Sequence, residues 1–398
     1  MVLGVVCNEE MSCLLTSFLG AYGSRLLIIR SVPKSKCHEF KPGKKRPRTT
    51  SENMIPNVIF SRIISCRGYK EIQYSLNKQA LLYQLGKKQW TFTPNNRLYS
   101  SHVNDCHRIS YRHAASSVSL KGVTIGNLFQ EQVEKIPDKE ALVFYSDKIR
   151  KTFSQFLEEC DQFAAGLHCL GIKKGDRLGI WGPNTYEWVL TEFAAFRSGI
   201  ILVSVNPAYK KEELKYALNK TDMKAIVIAE ALPKQDFYDI LFQLAPELET
   251  APPGGLNAQN VPHLKTVIMM GQTNKPGSFL FNDVIQAGTT KDRQYILDIQ
   301  KKLQFDEPIN IQFTSGTTGS SKGATLSHHN IVNNSYIAGL RLAYDKMETR
   351  ICVPVPLFHC FGSVLGSPHD ANSWSNLYLS IKSIQYKESF SLLYKDEK

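Results

Sequence analysis

Ile309-Asn310-Ile311-Gln312-Phe313-Thr314-Ser315-Gly316-Thr317-Thr318-Gly319-Ser320-Ser321-Lys322-Gly323 is the stretch on which the reading of this chain turns. An apolar run of strand type feeds a loop made of glycines, hydroxyl side chains and a single lysine. Small residues let the main chain approach a ligand closely, and glycines permit the dihedral angles that turn several N–H groups toward one point. Hydroxyls add donors, and Lys322 adds a compact positive charge. Together these meet the needs of a polyphosphate, on whose oxygens charge builds as the phosphoryl bond breaks. The loop is not a Walker A motif. Ser321 stands where that motif has the glycine before its lysine, and Gly323 where it has the magnesium-binding hydroxyl. A flexible Ser/Thr/Gly linker is the competing reading, but the loop lies between an apolar strand and an expected helix over 330–342, where linkers seldom occur.

Upstream of the loop, strand and helix patterns alternate. Helical periodicity spans 124–136, 153–170, 186–197 and 212–219, and apolar runs at 141–144, 178–181, 199–205, 225–229 and 266–270 read as buried strands. Gly171 follows the second helix where a C-terminal cap is expected, 146–151 reads as a charged turn, and 246–262 reads as a loop. Strands that are apolar on both faces and separated by helices imply an α/β fold with a mostly parallel sheet flanked by helices.

The formal net charge of +12 would suit a nucleic-acid or acidic-membrane partner. The first 120 residues, however, hold 18 Lys and Arg against 6 Asp and Glu, which is the whole excess. The body is therefore balanced, and no nucleic-acid partner is expected for it. Residues 1–106 read as a basic N-terminal extension, mostly disordered. The acid-free, Ser- and Leu-containing stretch 11–36 suits either an organellar transit peptide, mitochondrial by its composition, or an unstructured leader. The run Lys41-Pro42-Gly43-Lys44-Lys45-Arg46-Pro47-Arg48 reads as solvated coil rather than a nuclear signal. No stretch approaches the roughly 20 apolar residues of a membrane-spanning helix. The nine cysteines show no CxxC pair and no zinc spacing, so reduced, scattered thiols are expected.

The sequence Thr314 to Gly323 resembles the signature loop of the adenylate-forming superfamily, which includes acyl-CoA synthetases, luciferases and peptide-synthetase adenylation domains. Gly175-Asp176-Arg177-Leu178, Asn206-Pro207-Ala208-Tyr209 and Pro356-Leu357-Phe358-His359-Cys360-Phe361-Gly362 are similar to further motifs of that family. Trp181-Gly182-Pro183-Asn184 with 200–209 and 330–334 looks closest to the mitochondrial medium-chain acyl-CoA synthetase branch. The likeness runs over residues 107–366 and implies part of the large N-terminal domain of those enzymes.

The resemblance implies a two-step reaction. A fatty-acid carboxylate attacks the α-phosphorus of ATP, held with Mg2+, and the acyl-adenylate then yields its acyl group to coenzyme A. It implies that Thr314, Ser315, Gly316, Thr317, Thr318, Gly319, Ser320, Ser321 and Lys322 hold the β- and γ-phosphates. It also places His359, with Phe358 and Gly362, beside the acyl pocket and gives Lys322 and His359 catalytic roles. Without the resemblance, His359 would be read as a half-buried histidine capping a turn. His328 and His329 read as a helix start. The implied location is the mitochondrial matrix.

Two departures from the family pattern stand out. Position 321 is serine where the family has proline, which loosens the loop before Lys322 and should weaken phosphate binding. After Gly366 the residues 367–398 form a divergent tail without the family's Tyr-Gly-x-Thr-Glu adenine segment, ribose-binding Asp, hinge or small C-terminal domain with its lysine. The expectation is a C-terminally truncated, inactive ligase. The alternative is a non-catalytic nucleotide-binding or decoy partner that associates with a full-length synthetase.

Overall fold

The computed structural model describes residues 116–144, 147–233, 235–314, 321–342, 344–345, 349–353 and 355–364, together with the backbone of four strands outside these ranges. The chain divides into two compact units, Met1–Phe40 with Leu120–Lys398, and Lys41–Ser119, and every element named below belongs to the first. The backbone strands are β1 (Val2–Cys7), β2 (Met11–Leu19) and β3 (Arg25–Pro33), joined as an antiparallel meander, and a further strand at Leu377–Leu379. The rest of the expected extension over 1–106 lies outside the described residues.

Two sheets form. The first contains β1 to β3, β4 (Glu140–Phe144) and β5 (Ile149–Thr152), with β13 (Thr349–Cys352) and β14 (Leu377–Leu379) between β3 and β4. The expected charged turn over 146–151 is corrected here. Only 147–148 form a turn, and Ile149–Thr152 pairs antiparallel with β4, helped by the Arg150–Glu140 ion pair at 2.9 Å across the two strands.

The second sheet positions the candidate site. Its strands are β6 (Arg177–Trp181), β7 (Ile201–Val205), β8 (Ala225–Ile228), β9 (Thr266–Met269), β10 (Ser278–Leu280), β11 (Pro308–Phe313) and β12 (Gly323–Ser327), in the spatial order β10-β9-β8-β6-β7-β11-β12. All neighbouring pairs are parallel except β11 with β12. β8 and β9 are buried at every residue, which is why they read as unbroken apolar runs.

Helices connect the strands. They are α1 (Ile125–Lys135), α2 (Phe153–Cys169), α3 (Tyr186–Ser198), α4 (Lys211–Lys220), α5 (Phe237–Phe242), α6 (Phe281–Ala287), α7 (Thr290–Gln300), α8 (His328–Arg341) and the short α9 (Cys360–Ser363). Thr152 caps α2 with a full capping box through Gln155, and Gly171 follows it at φ 79°, as the cap reading required. Ser327 caps α8, so His328 opens that helix as expected. There His328 is fully buried and accepts from the Ile125 N–H at 3.3 Å.

Phe129, Phe156 and Phe193 join α1, α2 and α3 with ring centroids 5.1–5.4 Å apart. Each such buried ring contributes about 1.5–3 kcal/mol. Beside them Arg197, at the end of α3, donates to both carboxylate oxygens of Asp161 on α2 at 2.6 and 2.8 Å, with both side chains almost completely buried. Gly166 of α2 lies so near α6 that a Cβ there would stand 1.8 Å from the Val284 carbonyl oxygen. At that point α2 can carry no side chain.

Candidate functional site

The chain runs β6-α3-β7 in one direction across the sheet and then returns past β6 to β8 through α4. Right-handed crossovers in opposite directions put α3 and α4 on opposite faces, and because β8 leads on to β9, the connections leaving β6 and β8 run in opposite directions along the sheet. Such a divergence opens a crevice at the carboxyl ends of the strands, the usual place for a ligand in an open α/β sheet. β11 lies beside β7, and its carboxyl end is Phe313. The glycine-rich loop therefore starts at the same carboxyl-end edge of the sheet, beyond β7 from that crevice.

The loop is closed at its base as a hairpin. Thr314 N–H donates to the Lys322 carbonyl at 2.9 Å, and Lys322 N–H donates to Thr314 Oγ1 at 3.2 Å. Phe313 pairs with Gly323 in the antiparallel register below. Of the residues expected to hold phosphate, Thr314, Ser321 and Lys322 come together here. Ser315, Gly316, Thr317, Thr318, Gly319 and Ser320 lie outside the described residues. The Lys322 side chain is exposed and, among the described residues, forms no ion pair.

Two turns border the hairpin. The Asn206 carboxamide oxygen accepts from Ala208 N–H at 2.9 Å, its carbonyl accepts from Tyr209 N–H at 3.0 Å, and that carbonyl also receives Trp181 Nε1–H at 3.0 Å. The end of β6 is thereby tied to the turn after β7. Tyr209 and Tyr216 flank Phe313 with ring centroids 6.4 and 6.3 Å away, and the Tyr216 hydroxyl donates to the Ser321 carbonyl at 2.9 Å.

His359 is brought to the same neighbourhood. Gln312, on β11, donates through Nε2 to Ser363 Oγ at 3.0 Å, and Ser363 lies in α9, of which His359 is the N-cap. His359 Nδ1 accepts from Phe361 N–H at 3.1 Å. A ring nitrogen that accepts cannot carry the proton, so in the neutral ring the proton is on Nε2. The capping role is thus present, and it orients the ring. Asn184, after β6, braces the segment leading into this turn, donating to the Val355 carbonyl at 2.9 Å and accepting from Leu357 N–H at 2.8 Å.

Sequence reasoning found the loop and His359 but not Tyr216, Gln312 or Asn184 as their supports. Gln312 left the clearest signal, as a polar side chain inside an apolar strand. Among the described residues no group of three or more His, Cys, Asp or Glu side chains could hold a metal ion, and no helix is long and apolar enough to cross a membrane.

Known proteins resemble this chain in sequence and in fold. The chain is 54% identical over 258 residues to the medium-chain acyl-CoA ligase ACSF2, mitochondrial, of Danio rerio, an alignment that covers 65% of this chain and 42% of the relative. It is 47% identical over 265 residues to the Homo sapiens protein of the same name, covering 65% of this chain and 43% of that one. The chain therefore spans less than half the length of these two relatives. The crystal structure of ATP-bound MatB from Rhodopseudomonas palustris superposes with a TM-score of 0.53 at 21% identity, over 67% of this chain and 47% of that one, which shows a shared fold. The model of the AMP-binding enzyme family matches residues 129–367, more than half of the chain. That match makes this chain a member of the AMP-binding enzyme family.

Proposed function

We propose that this protein serves ATP-dependent activation of a fatty acid of medium chain length as its coenzyme A thioester, in the mitochondrion, and that the described residues form its triphosphate-binding side. The observation that carries the reading is the closed hairpin base, which fixes the main chain of Lys322 at the carboxyl end of β11 while leaving its ammonium group exposed. ATP enters with magnesium as part of the substrate. Thr314 and Lys322 bind the β- and γ-phosphates, and Lys322 offsets charge on pyrophosphate as it leaves. A carboxylate oxygen of the fatty acid forms a bond to the α-phosphorus, and the electron pair of the α–β anhydride departs with pyrophosphate. Coenzyme A sulfur then attacks the acyl carbonyl carbon and AMP leaves. His359, with its proton on Nε2, acts in this scheme as a donor to an anionic oxygen rather than as a base. Mitochondrial location and medium chain length are supported by the names of the similar relatives.

Calorimetric titration of the chain with MgATP tests the reading. Lys322→Ala should weaken binding by about 10- to 150-fold, the range expected for losing a hydrogen bond to a charged group. Equal affinity of wild type and variant would overturn the assignment of Lys322.

A further inference from the structure

The hydrogen bond from Tyr216 to Ser321 joins residues 105 positions apart and reaches the one peptide unit that precedes Lys322. A peptide unit is planar and rigid, so two contacts at its opposite ends fix its orientation. Both ends of this one are engaged. Its carbonyl oxygen, from Ser321, accepts from the Tyr216 hydroxyl at 2.9 Å, and its N–H, from Lys322, donates to Thr314 Oγ1 at 3.2 Å. The next unit is held too, because the Lys322 carbonyl accepts from Thr314 N–H at 2.9 Å. With both flanking planes held, the direction in which the Lys322 side chain leaves the main chain is set.

Tyr216 is a firm post for this task. It lies on α4, which is anchored by the buried Leu214, Ala217 and Leu218, and its half-buried ring packs near Phe313 at the hairpin base. Thr314 holds Lys322 from within the hairpin, whereas Tyr216 holds it from a different element. Serine at position 321 leaves φ unrestricted, so an outside restraint there has more to do than it would beside a proline.

We propose that Tyr216 is a positioning residue for Lys322, aiming its ammonium group at the phosphates of the nucleotide by clamping the Ser321–Lys322 peptide. The proposal rests on the reading of Lys322 as a phosphate ligand.

The test is a double-mutant cycle on the full chain, with magnesium pyrophosphate as the probe in calorimetry, combined with hydrogen exchange of the peptide spanning 321–327. Tyr216→Phe removes the hydroxyl alone and should weaken pyrophosphate binding about three- to ten-fold, the usual worth of one such bond. In the Lys322→Ala background the same change should cost nothing further, because Tyr216 acts through Lys322. Exchange at the Lys322 amide should accelerate in Tyr216→Phe, without change in α4. Wild-type affinity in Tyr216→Phe, or a full further loss in the double variant, would overturn the proposal. If wild type fails to bind pyrophosphate, the functional reading is what fails. The exchange experiment then decides the clamp alone: acceleration at Lys322 supports it, and an unchanged rate overturns it.

Discussion

Gln312 Nε2 lies 3.0 Å from Ser363 Oγ, so the strand that feeds the glycine-rich loop and the turn capped by His359 are joined directly, two residues before the loop begins. Both side chains are buried, so the bond is shielded from competing water. A change in the loop and a change in the His359 turn should therefore not be independent. Gln312→Ala is expected to cost about 1 kcal/mol of stability and to raise hydrogen exchange across 355–364. Exchange confined to β11, with 355–364 unaffected, would show that the two segments are not coupled through this pair.

The Arg197–Asp161 pair bridges α3 and α2 through two hydrogen bonds, almost completely buried. Removing one partner strands the other charge in the core. Arg197→Ala and Asp161→Ala should each destabilise by about 3–5 kcal/mol. Replacing both by leucine should recover much of that loss, because no charge is then left buried. Urea denaturation followed by circular dichroism reads the series, and a loss below about 1 kcal/mol for either single variant would contradict it.

Asp292 gives a pH dependence. Hydrogen bonds from the Thr289 hydroxyl, then from His168 at 2.7 Å, then from Thr289 N–H, hold its carboxyl below the ordinary 3.8, at about 2. A depressed carboxylate pKa stabilises the fold above the unfolded value, and that contribution disappears as the pH falls toward the folded value. The advantage of wild type over Asp292→Asn should thus be constant above about pH 5 and shrink between about pH 4 and pH 2. Urea midpoints across that range measure it, and an advantage that grew on acidification would reverse the sign.

Gly166→Ala sets two effects against each other. Alanine improves helix propensity by about 1 kcal/mol over glycine. The new methyl would meet the Val284 carbonyl oxygen at 1.8 Å, so α2 and α6 must separate. Overpacking of this kind costs about 1–3 kcal/mol or more against backbone that cannot swing aside. The clash should win, with a net fall in thermal midpoint. A rise would mean that α6 yields freely.

Much of the fold was legible because its signals are local. The apolar runs ending at Trp181, Val205 and Phe313 are strands within a residue or two of their expected bounds, since buried apolar residues recur along each of them. β5 was missed because a short strand reading Ile149-Arg150-Lys151-Thr152 shows the charge of a turn. α7 escaped notice because among its residues only Ile296 and Gln300 are buried, leaving almost no apolar stripe, although its capping box of Thr289 and Asp292 is a recognisable start. In the candidate site the loop's composition announced itself, while its supports did not. A hydroxyl on Tyr216 reaching the Ser321 carbonyl has no spacing or periodicity to betray it, and the same holds for Asn184 bracing Val355 and Leu357.

The strand order also has a consequence for biosynthesis. β6 to β10 are all synthesised by residue 280, and they form five adjacent strands with β7 outermost. β11, which covers β7, does not leave the ribosome until residue 313 has cleared it. Through that interval the nascent sheet exposes Ile201–Val205, an apolar edge able to recruit strands from other chains. The hairpin that bears the glycine-rich loop is therefore also the lid on this edge, and a chain stalled short of it would be the species most prone to aggregate.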